Sequence, residues 1–318
     1  MSEPIAETVS PSEVKPDAPR KVAIVGEIPF SGRALAKAVC DAGMVARVLC
    51  PDSAVEAGLK ALPIQGSLEI VEGNLGNPTA VSSALEGVYG VCFVSPIGMT
   101  GRMYRSEEHL EDVRNVILAA ETHALRKLVY HSAVGASLSA HARALQDAAV
   151  AEELLTKSRC EDYRIRTGPL MGKGDNFLSE IVAQARAAGP FMTVLGYGGT
   201  LVQPLFVDDF ARWMAQLFTP SSDGAQNGIQ ALVGPETLSL LELTDSALEL
   251  LHRNKMKFHA PLSVLKLLAS VSGNFKFRER VRLLDDAFAL EQNDSSSNLG
   301  IGRKLVAPID VQREMVAG

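Results

Sequence analysis

A glycine-containing turn follows the first apolar segment of the chain and could bind the phosphates of a nucleotide. Val22–Val25 has strand character, Gly26 follows it directly, and Gly32 opens a helical pattern over residues 32–42. In this arrangement, the backbone N–H groups at the helix N-terminus can bind a diphosphate. The middle of the turn holds Pro29, which has no N–H to donate. By itself, the turn is also compatible with a βα connection that binds nothing.

Glu27 makes the turn less suited to an anion, because its carboxylate adds negative charge close to the expected diphosphate position. Pro29→Gly would restore a backbone donor, so we expect that substitution to tighten dinucleotide binding. The turn therefore reads as a modified phosphate-binding site.

Other reactive residues give weaker signals. The six histidines show neither HxxxH nor HExxH spacing, so a metal site is not expected. Neither a GxSxG elbow nor a GxxxxGK[ST] loop is present. His131 precedes Ser132 directly, but neighbouring residues of a strand point to opposite faces, which argues against a nucleophile–base pair.

The elements that must position these residues alternate regularly from Lys21 onward. Short β-branched segments are separated by longer helical patterns, which predicts βαβ units and an α/β, Rossmann-like, doubly wound parallel sheet of order 3-2-1-4-5-6. The predicted strands are 22–25, 46–49, 68–71, 90–94, 127–131 and 163–166. The predicted helices between them are 32–42, 79–85, 107–122 and 142–158.

The chain divides into three predicted parts. Residues 1–20 are rich in proline and indicate a disordered leader, residues 21–172 form the nucleotide-binding core, and residues 173–318 form a smaller, mostly helical cap with parts returning to the core. Beyond the core we expect helices over 176–188, 208–218 and 238–251, short strands near 191–200, a mostly helical stretch over 256–295 and a turn at 299–302.

Composition excludes several functions. A net charge of −6, an aromatic content of 5% and a single tryptophan argue against nucleic-acid binding. No apolar run reaches the roughly 18 residues of a transmembrane helix. The leader lacks the basic start and apolar middle of a signal peptide, so a cytoplasmic, organelle-matrix or stromal location is expected and secretion is not.

Three further segments follow the turn in order: LEIVEGNLGNPTAVSSALEGVYGVCFVSP, RKLVYHSAVGAS and DYRIRTGPLMG. Together they resemble the atypical short-chain dehydrogenase/reductases, in particular the NmrA-like proteins and the nucleotide-binding accessory subunit of respiratory complex I. The resemblance covers residues 21–235 well. It implies a dinucleotide ligand, NADP or NAD, which the altered turn would bind weakly.

The resemblance also implies where the cofactor lies. Asn74 takes the place of an aspartate that contacts the adenine, Val94 and Ser95 line the ribose, and Gly168–Pro169 flank the nicotinamide. Arg33 and Arg47 could bind a 2′-phosphate, although exposed arginines are also often simply solvated. The implied cofactor-binding residues are Gly26, Phe30, Ser31, Gly32, Arg33, Arg47, Cys50, Asn74, Leu75, Val94, Ser95, Ser132, Gly168 and Pro169.

Catalysis is where the chain departs most from this family. Its reductases use a tyrosine and a lysine four residues apart, and none of the five tyrosines here has that partner. Ser132 and His141 remain as candidate catalytic residues, with a surface role the alternative for His141. Three functions stay open: a nucleotide-binding sensor, scaffold or assembly protein with a protein partner; an NAD(P)H-dependent reductase of a quinone or a small carbonyl or enone; and an interaction protein that no longer binds nucleotide.

Overall fold

The computed structural model describes residues 18–96, 106–175, 177–272, 278, 281–283, 286 and 305–317. Most of the predicted leader, the start of the predicted helix at residue 176 and the turn at 299–302 lie outside these residues.

A seven-stranded parallel sheet forms the centre of the fold. Its order is β3-β2-β1-β4-β5-β6-β11, which confirms the predicted six-strand order and adds one strand at the β6 edge. The strands are β1 Lys21–Gly26, β2 Val45–Cys50, β3 Ser67–Glu72, β4 Gly90–Val94, β5 Lys127–Ala133, β6 Glu161–Thr167 and β11 Gly228–Leu232. Strands β4 and β5 are buried along their whole length, as expected when helices cover both faces of a sheet.

Helices pack on both faces of the sheet. One apolar cluster joins it to α3, α4 and α5, and a second joins it to α1, α2 and α7. The helices are α1 Arg33–Asp41, α2 Ser53–Lys60, α3 Pro78–Leu85, α4 Ser106–Thr122, α5 Arg143–Leu155, α6 Leu178–Arg186 and α7 Val207–Gln216. Helix α2 was not predicted; Asp52 caps its first turn by accepting the N–H of Val55.

The chain beyond β6 supplies short strand pairs and further helices. The remaining elements are β7 Leu170–Met171, β8 Phe191–Leu195, β9 Leu201–Val202, β10 Leu205–Phe206, β12 Leu238–Ser239, α8 Leu240–Leu250, β13 Met256–Ala260, α9 Leu262–Val271 and α10 Pro308–Ala317. Strand β11 returns from this region to pair with β6.

Two helix predictions in this region need correction. Residues 256–260 were assigned to a mostly helical stretch, but they form β13, which pairs in parallel with β8. The pairing with Phe191–Leu195 overrides a weak local helical pattern. The helix predicted from Leu238 begins two residues later, because Ser239 and Glu242 form a capping box at its start.

No helix among the described residues is long and apolar enough to cross a membrane.

Candidate functional site

A cleft of about 510 Å³ opens at the carboxyl ends of strands β1 to β4. This is the edge at which open parallel sheets bind ligands, beside the point where strand order reverses. The first helix begins here, and the loop after β3 forms one wall. The residues lining the cleft are Gly26, Glu27, Leu49, Pro51, Gly73, Asn74, Leu75, Gly76, Phe93, Pro96, Glu108, His109 and Asp112.

The turn between β1 and α1 begins at a glycine that no other residue could replace without rearrangement. Gly26 has φ of 106°, and a Cβ there would lie 2.1 Å from the carbonyl oxygen of Val94 on the neighbouring strand. The next residue, Glu27, donates its N–H to the same oxygen at 2.7 Å. Gly26 and Val94 are thus both used to join β1 to β4 where the cleft begins.

The side chain of Glu27 closes this turn on itself. Its Oε1 accepts the N–H of Phe30 at 3.2 Å, and its Oε2 accepts the N–H and the hydroxyl of Ser31 at 2.9 and 2.5 Å. Residues Ile28–Gly32 form a π-helical turn that leads into α1, and Glu27 is its N-cap. The two amides predicted to bind a diphosphate are therefore engaged by a carboxylate of the same chain.

The loop after β3 forms an open wall of the cleft and is tied in place at two points. Gly73 donates its N–H to the carbonyl of Cys50 at 2.9 Å, and Asn115 of α4 donates to the carbonyl of Leu75 at 3.0 Å. Asn74 is exposed and lines the cleft, as expected for a residue that contacts a base.

Helix α4 places acidic groups along the opposite wall. Glu108 and Asp112 both line the cleft. Burial, together with the nearby Glu108 and Glu111, raises the pKa of the Asp112 carboxyl to about 7. Among the described residues that line the cleft, none is a lysine or an arginine. The cleft thus presents carboxyl groups to a ligand from two sides.

His109 links the cleft to a buried tyrosine. Its Nε2 lies 3.0 Å from the hydroxyl of Tyr130, which is also hydrogen-bonded to the Ser95 side chain. Burial lowers the pKa of His109 to about 4, against an opposing attraction to Asp147, so the imidazole is neutral near pH 7. Burial also raises the pKa of Tyr130 well above its ordinary value, which makes this tyrosine a poor acid.

The predicted catalytic serine is held inside the sheet. Ser132 is fully buried and donates to Oε1 of Glu152 on α5 at 2.5 Å. Arg166 on β6 donates to both oxygens of Glu152, at 2.9 and 2.7 Å. His131 points to the other face of the sheet, where its ring packs on Phe210 and lies 2.8 Å from Thr167 Oγ1. His131 and Ser132 therefore do not form a nucleophile–base pair, which agrees with the prediction from the sequence.

The other predicted catalytic residue, His141, lies at the start of α5 away from the cleft lining. Its side chain is 65% exposed, and its Nδ1 lies 3.1 Å from Asp286. The carboxylate of Asp286 also accepts the N–H groups of His141 and Ala142, so this contact secures the helix start.

The two predicted arginines differ in their surroundings. Arg47 is bonded to Glu69 at 2.7 Å and to the carbonyl of Glu86 at 2.6 Å, and it is not part of the cleft lining. Arg33 is exposed at the start of α1, beside Gly58 of α2. Cys50 is buried at the end of β2, where burial raises the pKa of its thiol.

Gly168 and Pro169 join β6 to the strands that follow. A Cβ on Gly168 would lie 2.0 Å from the carbonyl oxygen of Gln203, and the carbonyl of Pro169 accepts the N–H of Leu205 at 2.9 Å. Close backbone packing is a sufficient reason for glycine at this position.

The structure brings together only part of the predicted set. Gly26, Asn74 and Leu75 line the cleft, and Val94 and Ser95 lie directly behind it. Glu108, His109 and Asp112 were not predicted; their one signal in the sequence is the acidic, histidine-containing first turns of α4. Among the described residues, no group of three or more His, Cys, Asp and Glu side chains could hold a metal ion.

The two parts of the site differ in how open they are. Residues 73–76 line the cleft, while the amides of Phe30 and Ser31 are engaged by the Glu27 carboxylate.

Comparison with known protein families gives a match over part of the chain. Residues 31–186 match the family described as NAD(P)H-binding. The region includes α1, the loop after β3 and the cleft wall formed by α4. No curated protein sequence matches the chain significantly.

Solved structures share the fold at low sequence identity. An NADPH-dependent quinone oxidoreductase from Escherichia coli, solved with NADPH, has a TM-score of 0.69 at 18% identity over 93% of this chain and 98% of its own. Triphenylmethane reductase from Citrobacter sp., solved with NADP(H), has a TM-score of 0.70 at 15% identity over 93% and 99%. The Bordetella bronchiseptica enzyme WbmH, solved with NAD⁺, has a TM-score of 0.67 at 15% identity over 94% and 98%. The Rossmann-like fold predicted from the sequence is confirmed.

Proposed function

We propose that this chain is an atypical short-chain dehydrogenase/reductase-like protein that acts as a dinucleotide-binding sensor or scaffold and not as a carbonyl reductase. The match of residues 31–186 to an NAD(P)H-binding family supports the dinucleotide part of this proposal. In this role, the bound dinucleotide would bias the conformation or the protein contacts of the chain. The proposed setting is the one expected from the sequence, the cytoplasm or an organelle matrix or stroma.

The observation that carries this proposal is the hydrogen bond from Ser132 to Glu152, whose carboxylate is also bonded to Arg166. A serine that assists carbonyl reduction must offer its hydroxyl to the substrate oxygen. Here the hydroxyl is fully buried and donates to a carboxylate that is itself paired with a guanidinium. Turning the hydroxyl to a substrate would take one hydrogen-bond donor from the buried Glu152 carboxylate, which is costly.

Three of the five tyrosines also argue against carbonyl reduction. Tyr89 donates to Asp223, Tyr163 to the carbonyl of Ala225, and Tyr130 is buried behind the cleft. Helix α5, where the family resemblance would locate the tyrosine–lysine pair, contains neither residue type. A positioned general acid contributes about 10²–10⁴-fold to rate, so hydride transfer to a carbonyl would be slow.

A reductase acting on a quinone or a small carbonyl or enone is the second candidate. Neutral His109 at the cleft favours it, because an imidazole there could relay a proton without the missing pair. The quinone oxidoreductase and triphenylmethane reductase that share the fold are consistent with it.

Turnover measurements separate the two candidates. Purified protein is mixed with NADPH or NADH and a panel of quinones, ketones and enones, and cofactor oxidation is followed by absorbance. The proposal predicts saturable cofactor binding with no oxidation above background. Steady turnover that His109→Gln abolishes while His141→Gln leaves intact would establish the reductase instead.

A further inference from the structure

We infer that Glu27 is an internal anion that occupies the diphosphate position of the β1–α1 turn and must be displaced when a dinucleotide binds. Glu27 would then determine the affinity of the site and give it two states, closed on Glu27 or open to the ligand. This inference rests on the proposed dinucleotide binding.

The first reason is the set of donors that Glu27 engages. Two backbone N–H groups, of Phe30 and Ser31, and the Ser31 hydroxyl all point at one carboxylate. Amides at the start of a helix bind a phosphate in the same way, because their N–H groups converge on one point and the helix dipole favours negative charge there. A carboxylate with three such donors already satisfies this site.

The second reason is the burial of Glu27. The residue is 7% exposed although it also lines the cleft. A buried carboxylate is stable only when its oxygens are hydrogen-bonded or paired with a cation. The described residues that line the cleft include no cation, so the donors of the turn are what stabilise the charge.

The third reason is competition for these donors. Pro29 supplies no N–H, so the amides of Phe30 and Ser31 are the donors that the middle of the turn offers. A diphosphate held by the same amides would lie against the Glu27 carboxylate, with Glu108 and Asp112 across the cleft. Two anions cannot share one set of donors, so the ligand must displace the side chain.

Displacement links ligand binding to the shape of the turn. Once Glu27 leaves, the π-helical turn at Ile28–Gly32 loses its N-cap. A ligand shifts a two-state equilibrium by its difference in affinity for the two states. The free and bound forms would therefore differ at the start of α1, which gives a sensor a structural signal.

The test compares ligands with and without a diphosphate. ADP and adenosine are titrated by calorimetry into wild type, Glu27→Ala, Glu27→Gln and the control Glu108→Gln, which removes a carboxylate from the cleft wall formed by α4. We expect Glu27→Ala to tighten ADP binding by about tenfold or more, the value of one recovered charge-assisted hydrogen bond. Adenosine binding should change by less than about twofold, since adenosine has no phosphate to use the freed amides.

The controls separate the possible outcomes. Glu27→Gln keeps an oxygen that can accept the N–H groups of the turn, so it should tighten ADP binding less than Glu27→Ala. If the alanine variant unfolds, the glutamine variant provides the test. If Glu108→Gln and Glu27→Ala changed ADP affinity equally, Glu27 would act only through its negative charge in the cleft, and the inference would be overturned. An unchanged ratio of ADP to adenosine affinity would do the same while leaving dinucleotide binding intact. Failure of NADH, NADPH and ADP to bind any variant would contradict both the inference and the proposed function.

Discussion

The carboxylate of Glu27 accepts the backbone N–H of Ser31 at 2.9 Å, so the residue directly after the first strand caps the π-helical turn that leads into α1. In the sequence, these two positions look like a weakened phosphate-binding turn. In the structure, the N–H donors of the turn are bonded to an anion, but that anion is the Glu27 carboxylate of the protein itself.

We expect Pro29 to limit dinucleotide affinity less than its position in the turn suggests. The sequence alone predicts that Pro29→Gly tightens dinucleotide binding. With the amides of Phe30 and Ser31 engaged by Glu27, we expect the single substitution to change the NADPH dissociation constant by less than about twofold. When Glu27→Ala is also present, the new backbone donor should tighten NADPH binding by a further severalfold. Calorimetric titration of the two single variants and the double variant measures this coupling, and a large effect of Pro29→Gly alone would mean that the turn opens without losing Glu27.

Dinucleotide binding should weaken as pH rises from 6 to 8. The pKa of Asp112 is raised to about 7, so this carboxyl gains a negative charge in that range and repels the diphosphate. His109 has a pKa of about 4 and stays neutral throughout. We expect a loss of affinity of up to about fivefold, the size of one nearby unit charge in a hydrated cleft. Asp112→Asn should flatten the profile, and a profile of unchanged slope in that variant would assign the dependence to another group.

The Glu152–Arg166 pair should be a major contributor to stability. Glu152→Gln keeps the shape of the side chain but removes the buried charge to which Arg166 is bonded, so we expect a loss of about 3 kcal/mol in the free energy of unfolding. Glu153→Gln on the same helix is the matched control, because it breaks only the exposed pair with Lys157 and should cost less than about 0.5 kcal/mol. Urea denaturation of both variants tests this, and similar midpoints would show that the buried pair has no special role.

Gly168→Ala should destabilise the protein in the absence of any ligand. A Cβ at this position meets the carbonyl oxygen of Gln203 at 2.0 Å, so the backbone after β6 or between β9 and β10 would have to shift. We expect a loss of about 3 kcal/mol or more, while Gly199→Ala, which has nothing within 4 Å of its Cβ, should be close to neutral. Normal stability together with weakened NADPH binding would instead support the cofactor contact predicted from the sequence.

The sequence predicts the central sheet well for a physical reason. Buried parallel strands must be apolar, and the crossovers between them are right-handed. Gly26 is required by its φ of 106°. The strand order, and the point in the sheet where that order reverses, therefore follow from local patterns. The pairing of β13 with β8 was missed because it depends on contacts distant in sequence. A five-residue strand carries too little periodicity to show such a partner.

The site was harder to predict than the fold. Glu27 was recognised as a negative charge near the turn, but its hydrogen bonds to Phe30 and Ser31 depend on the π-helical geometry of Ile28–Gly32, which has no sequence signature. The acidic wall of α4 could not be predicted either, because periodicity does not say which sheet edge the first turns of a helix reach. Ser132 was predicted just beyond the fifth strand, but it lies within β5 and is fully buried. Its hydroxyl donates to Glu152, which is 20 residues away and could not be identified from the sequence.

The most direct test of the account follows NADPH fluorescence in one sample, first as protein is added and then as a soluble quinone is added. The account predicts saturable enhancement of the emission, greater affinity for Glu27→Ala than for wild type, and no protein-dependent loss of signal after the quinone. Rapid oxidation of the bound NADPH would contradict the proposed sensor or scaffold role. No saturable change with either protein would contradict dinucleotide binding itself.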